Sequence, residues 1–541
     1  MLELDLDRLQ ETVVECIAKQ QFGDAMTRIK LFVEEVINDP ETVGVVLASR
    51  ELDSLCETLA DAYYCDRHGE PANAGRGTVI LASELVKAGG HVELIKDYLA
   101  LELFEAPVRV ALTDLFNRID RDHIDEWEAL LGCEVFIAEE SSLGDKLGVL
   151  TARLAEWKPC TIVSVGHNQD VVCVMSAFAP GAGNRYYIHH GDHHLALGVT
   201  CKQFHHVDLH NMTFELCKDE IGVAQQYFWP LSVVRPSQIN TRFLRRGSLT
   251  TCACGRMPKF EAGTYAFRYE RAVALILKAT GGYHVHIGEL TAEFIEKIHA
   301  ELDVAAVSHD RFIYIEWVAS LSQALIEHAV DVYIPSFPIG GGKALVEAMA
   351  AGVPVVTHES YRSRYLGCVN LAYPESFVWS DYERLVDIFR LWNEALLKAH
   401  AGFALRHFER YYSKDAFLKA FEGDRNLAPD VPPLRIYHGN RLQNYLDIRR
   451  VREQRFVELE SEKNRIFAEW SKLYAAYEEH SATISQLQLD NERLASERHA
   501  LTMTRLEHQV GRQKMRSDDM SQSWKARARK LFGVMFSNKK S

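Results

Sequence analysis

Between residues 77 and 425 the chain alternates short runs rich in β-branched residues with helix-like segments, and it does so twice. The strand-like runs of the first series are GTVILAS, VRVALTD, CEVFIAE, CTIVSVG and RYYIHH; those of the second are LTTCACG, YHVHIGE, RFIYIEWV, DVYIPSF and VPVVTH. Strands separated by helices pair in parallel, with helices on both faces of the sheet. We therefore predict an α/β fold with two doubly wound domains in tandem, at 77–240 and 245–425.

The flanking segments follow helical patterns. Residues 1–70 place apolar side chains at three- and four-residue spacing, as at Leu9 and Val13, which predicts a helical extension packed on its neighbour. Residues 440–515 carry a seven-residue repeat that includes Ile466, Leu473 and Leu487. Such a repeat predicts a coiled coil, about 100 Å long if continuous, through which the chain forms a homo-oligomer.

Composition limits the classes of function. The formal net charge of −14 argues against general nucleic-acid binding, because an acidic surface repels the phosphate backbone. The eleven cysteines show no paired spacing, which suits a reducing, cytoplasmic location. The first twenty residues lack the basic start and apolar segment of a signal peptide, and no apolar run is long enough to span a membrane.

One loop has the features of a phosphate site. In SFPIGGGKALVEAMAAGVPVV, Gly340, Gly341 and Gly342 stand between a strand-like run and a helix-like run. Glycines let backbone N–H groups approach an anion, and the helix N-terminus adds positive potential. Because Lys343 follows directly and Ala344 comes next, the loop is not that of a nucleoside triphosphatase. A tight packing turn is the alternative reading.

The stretch DVYIPSFPIGGGKALVEAMAAGVPVV resembles the donor-binding segment of nucleotide-sugar-dependent glycosyltransferases with the GT-B fold, bacterial enzymes of families 1 and 4 among them. The resemblance implies two Rossmann-like domains, an N-terminal acceptor domain and a C-terminal donor domain. It implies that Gly340, Gly341 and Gly342, with Lys343 beside them, contact the donor diphosphate. Glu347 would bind the ribose hydroxyls, since two vicinal hydroxyls can donate to one carboxylate. The position eight residues before Glu347, where many retaining members carry a second glutamate, is Ile339.

Two other segments are similar to parts of that family. CACGRMPKF resembles the opening of the second domain, which implies that Arg256 and Lys259 neutralise the departing diphosphate without a metal. Ordinary surface cations are the alternative. ASELVKAGGHVELI resembles the family's first strand and loop, which singles out Gly89 and Gly90 under the donor phosphates and His91 facing the acceptor.

A histidine-rich stretch, YYIHHGDHHLALG, follows a strand of the first domain. Adjacent histidines at a strand end point to opposite sides, and no cysteine stands nearby, so we predict no metal site. A residue facing the cleft could instead take the proton of an acceptor hydroxyl. His190 and Asp192 join His91 as candidates for this base, with a purely structural use as the alternative.

The last segment, 520–541, is basic. Lys525, Arg527, Arg529 and Lys530 alternate with an apolar stripe that includes Trp524, which predicts an amphipathic helix on an anionic membrane surface or a solubilising tail.

These features together predict a cytoplasmic glycosyltransferase, peripheral on the inner membrane if the basic segment binds it. It needs no cofactor, uses a nucleotide-sugar donor with UDP-sugars as first candidates, and acts on a glycan, lipid-linked or protein acceptor in surface polysaccharide synthesis. An inactive scaffold recruiting partners through the coiled coil is the first alternative, and a nucleotide-sugar epimerase is the second.

Overall fold

A computed structural model describes residues 4–65, 75–86, 90–119, 124–191, 193–261, 263, 265–423, 430–437 and 441–535. The chain divides into two compact units, Met1–Arg452 and Glu453–Ser541. The first unit contains all the β-strands described below.

The predicted N-terminal helices are confirmed: α1 (Leu6–Ala18), α2 (Phe22–Asn38) and α3 (Arg50–Tyr64). The Asp5 and Ser49 side chains accept hydrogen bonds from backbone N–H groups in the first turns of α1 and α3, as capping residues do. The apolar stripes of these helices pack on the first sheet's helices and share one core with them.

The first sheet has seven parallel strands in the order β3-β2-β1-β4-β5-β6-β7. Its strands are β1 (Thr78–Ala82), β2 (Val108–Leu112), β3 (Glu134–Ile137), β4 (Thr161–Val165), β5 (Asn184–His189), β6 (His205–Asp208) and β7 (Gln226–Phe228). Its helices are α4 (Gly90–Ala100), α5 (Ile124–Leu131), α6 (Leu143–Trp157), α7 (Val171–Ala177) and α8 (Asn211–Leu216). Strands β6 and β7 were not among the predicted ones, because β6 reads HHVD and β7 spans only three residues.

The second sheet repeats this winding. Four parallel strands lie in the order β10-β9-β8-β11, and a parallel bridge from Tyr333 to Val355 leads on to the pair β12-β13. Its strands are β8 (Thr250–Cys254), β9 (Tyr283–Ile287), β10 (Phe312–Ile315), β11 (Val332–Tyr333), β12 (Val356–His358) and β13 (Phe377–Trp379). Its helices are α9 (Tyr269–Thr280), α10 (Ala292–Ala305), α11 (Leu321–Glu327), α12 (Gly342–Ala350), α13 (Tyr382–Leu391), α14 (Glu394–Tyr411) and α15 (Lys414–Glu422). The predicted fold, two doubly wound α/β units in tandem, is confirmed by these strand orders.

Helix α15 returns to the first sheet's side of the molecule. The Phe421 ring lies 4.9 Å from Trp229, and the Phe417 ring lies 5.9 Å from Tyr98. Tyr98, Trp229 and Phe417 belong to one core that runs between the two sheets, and Phe421 packs against it. The sheets are therefore held in one unit by apolar packing.

A polar network lies inside the second sheet. The buried Tyr269 hydroxyl lies 2.8 Å from His284 Nε2 and 2.8 Å from His286 Nδ1, and Thr251 Oγ1 lies 2.8 Å from His284 Nδ1. Burial holds the pKa of His284 at about 3, so the rings stay neutral and share the hydroxyl.

We expect Tyr269→Phe to lower the free energy of unfolding by about 1–3 kcal/mol, because it leaves buried ring nitrogens without a partner. Urea denaturation measures this loss. The matched variant Tyr283→Phe removes a hydroxyl from a half-buried ring that lies between Arg246 and Arg311, and it should change stability by about 0.5 kcal/mol or less. Equal effects of the two variants would contradict the network's role.

The predicted C-terminal helix is confirmed as one element, α16 (Arg441–Met535). Its apolar repeat faces solvent in the single chain: Ile466 is 55% exposed, Leu473 71% and Leu487 62%. Among the described residues, no helix combines the length and apolar character needed to cross a bilayer.

Candidate functional site

The strand order of each sheet reverses at one place, between β1 and β4 in the first sheet and between β8 and β11 in the second. At such a switch point the loops that follow the two strands diverge and leave a crevice beyond their carboxyl ends. The loops after β1, β8 and β11 carry most of the predicted site residues. The predicted candidates therefore gather at the switch points, although they are far apart in the chain.

The glycine loop joins β11 to α12. Ser336 Oγ donates to the Ile339 carbonyl at 2.8 Å, and the Ile339 N–H donates to the Lys259 carbonyl at 3.4 Å. A side chain at Gly340 would collide with Cys368, and a Cβ at Gly342 would lie 2.7 Å from His210 Nε2. Packing alone thus explains two of the three glycines, while Gly341 faces the Lys259 ammonium.

The segment after β8 brings a cation to this loop and a second one near the first. Lys259 Nζ lies 3.5 Å from the point where a Cβ of Gly341 would be, and Arg256 is exposed three residues before it. Burial lowers the pKa of Lys259, and the charge of Arg256 lowers it further. Within the described part of the chain, neither cation has a carboxylate partner. The positive charge of Lys259, which no carboxylate of the described residues pairs with, therefore lies beside the N-terminus of α12, whose first N–H groups have no intrahelical acceptor.

Glu347 and Lys343 lie on α12 itself. The Glu347 carboxylate is half-buried and accepts from the Ser322 N–H at 3.4 Å; burial raises its pKa, and the Lys343 charge partly offsets that rise. Lys343 Nζ forms an ion pair with Asp97 of α4 at 2.6 Å and lies 3.7 Å from Glu93. Lys343 thus links the two sheets here, and its contact with a donor diphosphate stays a prediction.

The first sheet contributes a group of histidines to the crevice. His91, in the first turn of α4 after Gly90, is buried and lies 2.9 Å through Nε2 from the Glu84 carbonyl. Its ring packs edge-on against His167 at 5.2 Å and His190 at 5.9 Å. Two of the three predicted base candidates therefore meet, whereas Asp192, like Gly89, lies outside the described residues.

Burial lowers the pKa of His91 from 6.5 to about 4, and the neighbouring charges of His167 and Arg256 add to this effect. Because the folded-state pKa lies below the unfolded value, the stability contribution is complete above about pH 6.5 and declines as the pH falls towards 4. We expect an NMR titration of 13C-labelled histidine, assigned with His91→Gln, to give a midpoint near pH 4. A midpoint at or above 6 would show that the ring is solvated. At neutral pH the ring is uncharged and able to accept a proton.

A buried support for this group was missed in the sequence. Asp170, fully buried, accepts from Ser83 Oγ at 2.5 Å, from Thr113 Oγ1 at 2.6 Å and from the Cys173 N–H at 2.9 Å. Ser83 Oγ in turn accepts from the His167 N–H at 2.7 Å. These bonds tie the loops after β1, β2 and β4 together. The only sequence signal was an acidic residue soon after a strand, in CTIVSVGHNQD.

The histidine-rich stretch divides as strand alternation requires. His190 faces His91, while His189 is buried on the other side. Cys217 Sγ lies 3.7 Å from His189 Nδ1, so the expectation that no cysteine stands near these histidines is wrong. The cysteine was overlooked because it lies 28 positions later, in a π-helical turn, Cys217–Ile221, that folds back onto β5.

The loop beyond His190 has structural contacts. Asn168 Nδ2 donates to the Gly191 carbonyl at 2.7 Å and to the His194 carbonyl at 3.2 Å. The His193 carbonyl accepts from the Gly44 N–H at 2.7 Å, which joins the helical extension to this loop. These main-chain contacts fix the course of the loop.

No protein-family model matches the chain, and its sequence matches none of the curated proteins. Among solved structures it is similar to the lipopolysaccharide outer core galactosyltransferase WaaB in apo form, with 12% identity, 64% of this chain and 98% of that one covered, and a TM-score of 0.47. Anabaena HepE in complex with UDP-glucose shows 14% identity, coverage of 64% and 98%, and a TM-score of 0.46. A Thermobaculum terrenum O-GlcNAc transferase mutant shows 14% identity, coverage of 78% and 84%, and a TM-score of 0.44. The strand orders described above carry the fold assignment by themselves.

Proposed function

We propose that the protein is a glycosyltransferase that moves a sugar from a nucleotide diphosphate to an acceptor. The observation that carries the proposal is the Lys259 ammonium beside the N-terminus of α12 at a switch point, with Arg256 near it and no carboxylate partner for either cation among the described residues. The resemblance to GT-B glycosyltransferases implies a diphosphate at this loop. Glu347 lies one turn further along α12, where a ribose bound to that diphosphate would meet a carboxylate.

This arrangement suits the departure of a nucleoside diphosphate. As the bond between sugar and diphosphate breaks, negative charge grows on the leaving oxygen. Fixed cations and a helix N-terminus stabilise that charge without reorganising, which is worth roughly 100- to 1,000-fold in rate per group. Across the crevice, His91 or His190 would take the proton of the attacking acceptor hydroxyl.

Release of nucleoside diphosphate from UDP-, GDP- and TDP-sugars tests the proposal, with CMP-linked sugars as a comparison because they offer only one phosphate. We expect turnover with one diphosphate donor, abolished in Glu347→Ala. Glu327→Ala, which removes an exposed carboxylate at the end of α11, should leave turnover unchanged. Donor-induced stabilisation without turnover would favour a binding scaffold. Neither stabilisation nor turnover would mean that the glycine loop is a packing turn.

The acceptor and the location of the enzyme belong to the same proposal. We place the chain in the cytoplasm, with the basic end of α16 on the anionic inner face of a membrane, where lipid-linked acceptors of surface polysaccharides are found. A truncation before residue 520 should then reduce binding to anionic vesicles while leaving donor hydrolysis intact.

We also propose that α16 forms a coiled coil with a second copy of the chain. Substituting lysine at two seam positions, Leu473 and Leu487, should reduce the mass measured by light scattering to that of a single chain, because buried charges oppose the seam. Lysine at Ala475 and Ala482, on the opposite face of the repeat, should leave the mass unchanged. A single-chain mass for the unmodified protein would contradict the proposal.

A further inference from the structure

Four buried side chains with metal-binding atoms meet at the carboxyl end of β5 and β6. They are His189, His206, Asp208 and Cys217, and their candidate ligand atoms all lie within 4.8 Å of one another. His189 and Asp208 are paired across the two strands, so both point to the same face of the sheet. His206 precedes Asp208 by two residues and shares that face. All four side chains are buried, with at most 1% of their surface exposed.

The separations suit one small cation. His189 Nδ1 lies 3.3 Å from Asp208 Oδ1, His206 Nε2 lies 3.1 Å from Asp208 Oδ2, and Cys217 Sγ lies 3.7 Å from His189 Nδ1. Ligands on a tetrahedral zinc ion, with bonds of about 2.0–2.3 Å, stand roughly 3.3–3.7 Å apart. The His189–Asp208 and Cys217–His189 distances match edge lengths of such a tetrahedron, and His206 lies at a similar distance from the second oxygen of the same carboxylate.

The hydrogen bonding around the cluster is incomplete. His206 Nδ1 and His189 Nε2 are buried and have no hydrogen-bond partner among the described residues, whereas His206 Nε2 lies 3.1 Å from the Asp208 carboxylate. A buried polar atom without a partner costs free energy. A metal bond at Nε2 would anchor the His206 ring, whose Nδ1 makes no hydrogen bond to a described residue. The carboxylate already has a second support, because Gln226 Nε2 donates to Asp208 Oδ2 at 2.7 Å, as outer partners of metal ligands do.

We propose that His189, His206, Asp208 and Cys217 form a structural zinc site. One thiolate, two imidazoles and one carboxylate make a borderline-soft set of four, which suits Zn²⁺ better than Mg²⁺ or Ca²⁺. Binding releases the Cys217 thiol proton to solvent. Since protein groups fill all four positions, no position stays open for a substrate, and the ion's role is to hold the fold.

The proposed zinc site lies next to residues of the crevice. His190 follows ligand His189 and faces His91, and His210 follows ligand Asp208 by two residues and approaches Gly342 of the glycine loop. An ion joining β5, β6 and the turn at Cys217 would therefore fix the first sheet's share of the crevice. The existence of the site does not depend on the proposed transferase activity.

Metal analysis of the full chain, purified in metal-free buffer from zinc-supplemented cells, tests the site. We expect about one zinc per chain, and less than about a tenth of that in Cys217→Ala and His206→Ala. Cys201→Ala, which removes another buried cysteine outside the cluster, should keep its zinc.

A second measurement uses the unmodified protein and does not depend on whether the variants fold. Mercurial modification of the unmodified protein should release its zinc together with the thiol, and Co²⁺ exchanged into the site should show the thiolate charge-transfer band and the intense visible bands of tetrahedral coordination. Absence of zinc, together with no rise in melting temperature when Zn²⁺ is added to chelator-treated protein, would overturn the site and leave a buried cluster of histidines and one carboxylate.

Discussion

Lys259→Ala should reduce the kcat/KM of diphosphate release by roughly 100- to 1,000-fold, because it removes a fixed cation from the place where leaving-group charge develops. The same change should abolish the rise in melting temperature that UDP or a UDP-sugar produces. Without a ligand, however, the change should not lower the stability of the protein. The Lys259 ammonium is half-buried beside Arg256 and unpaired among described residues, so its removal should leave unliganded stability unchanged or slightly raised.

This combination separates a functional cation from a structural one, since the loss of a structural lysine would lower the stability of the free protein. Lys278→Ala is the matched control. Lys278 is exposed in the last turn of α9, which ends where β9 begins, at the opposite edge of the sheet from the crevice. Lys278→Ala should retain normal turnover. If Lys259→Ala behaved in the same way, the loop between β11 and α12 would not hold the diphosphate.

Asp53→Ala should lower the free energy of unfolding by about 3–5 kcal/mol, because it leaves buried donors unpaired. Asp53 lies on α3 and is only 1% exposed. One carboxylate oxygen accepts from the Gly198 N–H at 2.6 Å, and the other accepts from the Thr200 N–H at 2.7 Å and the Thr200 hydroxyl at 2.8 Å. This carboxylate is a main polar link between the helical extension and the loop after β5.

Urea denaturation measures the loss, and limited proteolysis locates it, since α1–α3 should be cleaved faster in the variant. Glu57 provides the control one turn further along α3. It too accepts a backbone N–H of the same loop, from Lys202 at 2.8 Å, but at the surface, where such a bond is worth about 1 kcal/mol or less. Similar losses for Asp53→Ala and Glu57→Ala would show that burial of the carboxylate contributes nothing.

Some residues of the crevice could be predicted from the sequence, and others could not. Gly340–Gly342 were predicted because a glycine loop between a strand and a helix suits phosphate binding, whereas Arg256, Lys259 and Glu347 were predicted from the resemblance to glycosyltransferases. Asp170 and His210 were not predicted, because a single acidic residue after a strand and a single histidine before a short helix form no recognisable motif. Their importance comes from neighbours that are tens to more than a hundred residues away.

The sequence by itself determined the secondary structure in most places, the two doubly wound units and the long C-terminal helix, because hydrophobic period and glycine placement are local properties of a chain. Only the tertiary structure decided which polar groups meet. Parallel strands bring their carboxyl ends to one edge whatever the length of chain between them. For that reason His91 faces His167 and His190, Lys343 pairs with Asp97, and Cys217 joins His189, His206 and Asp208.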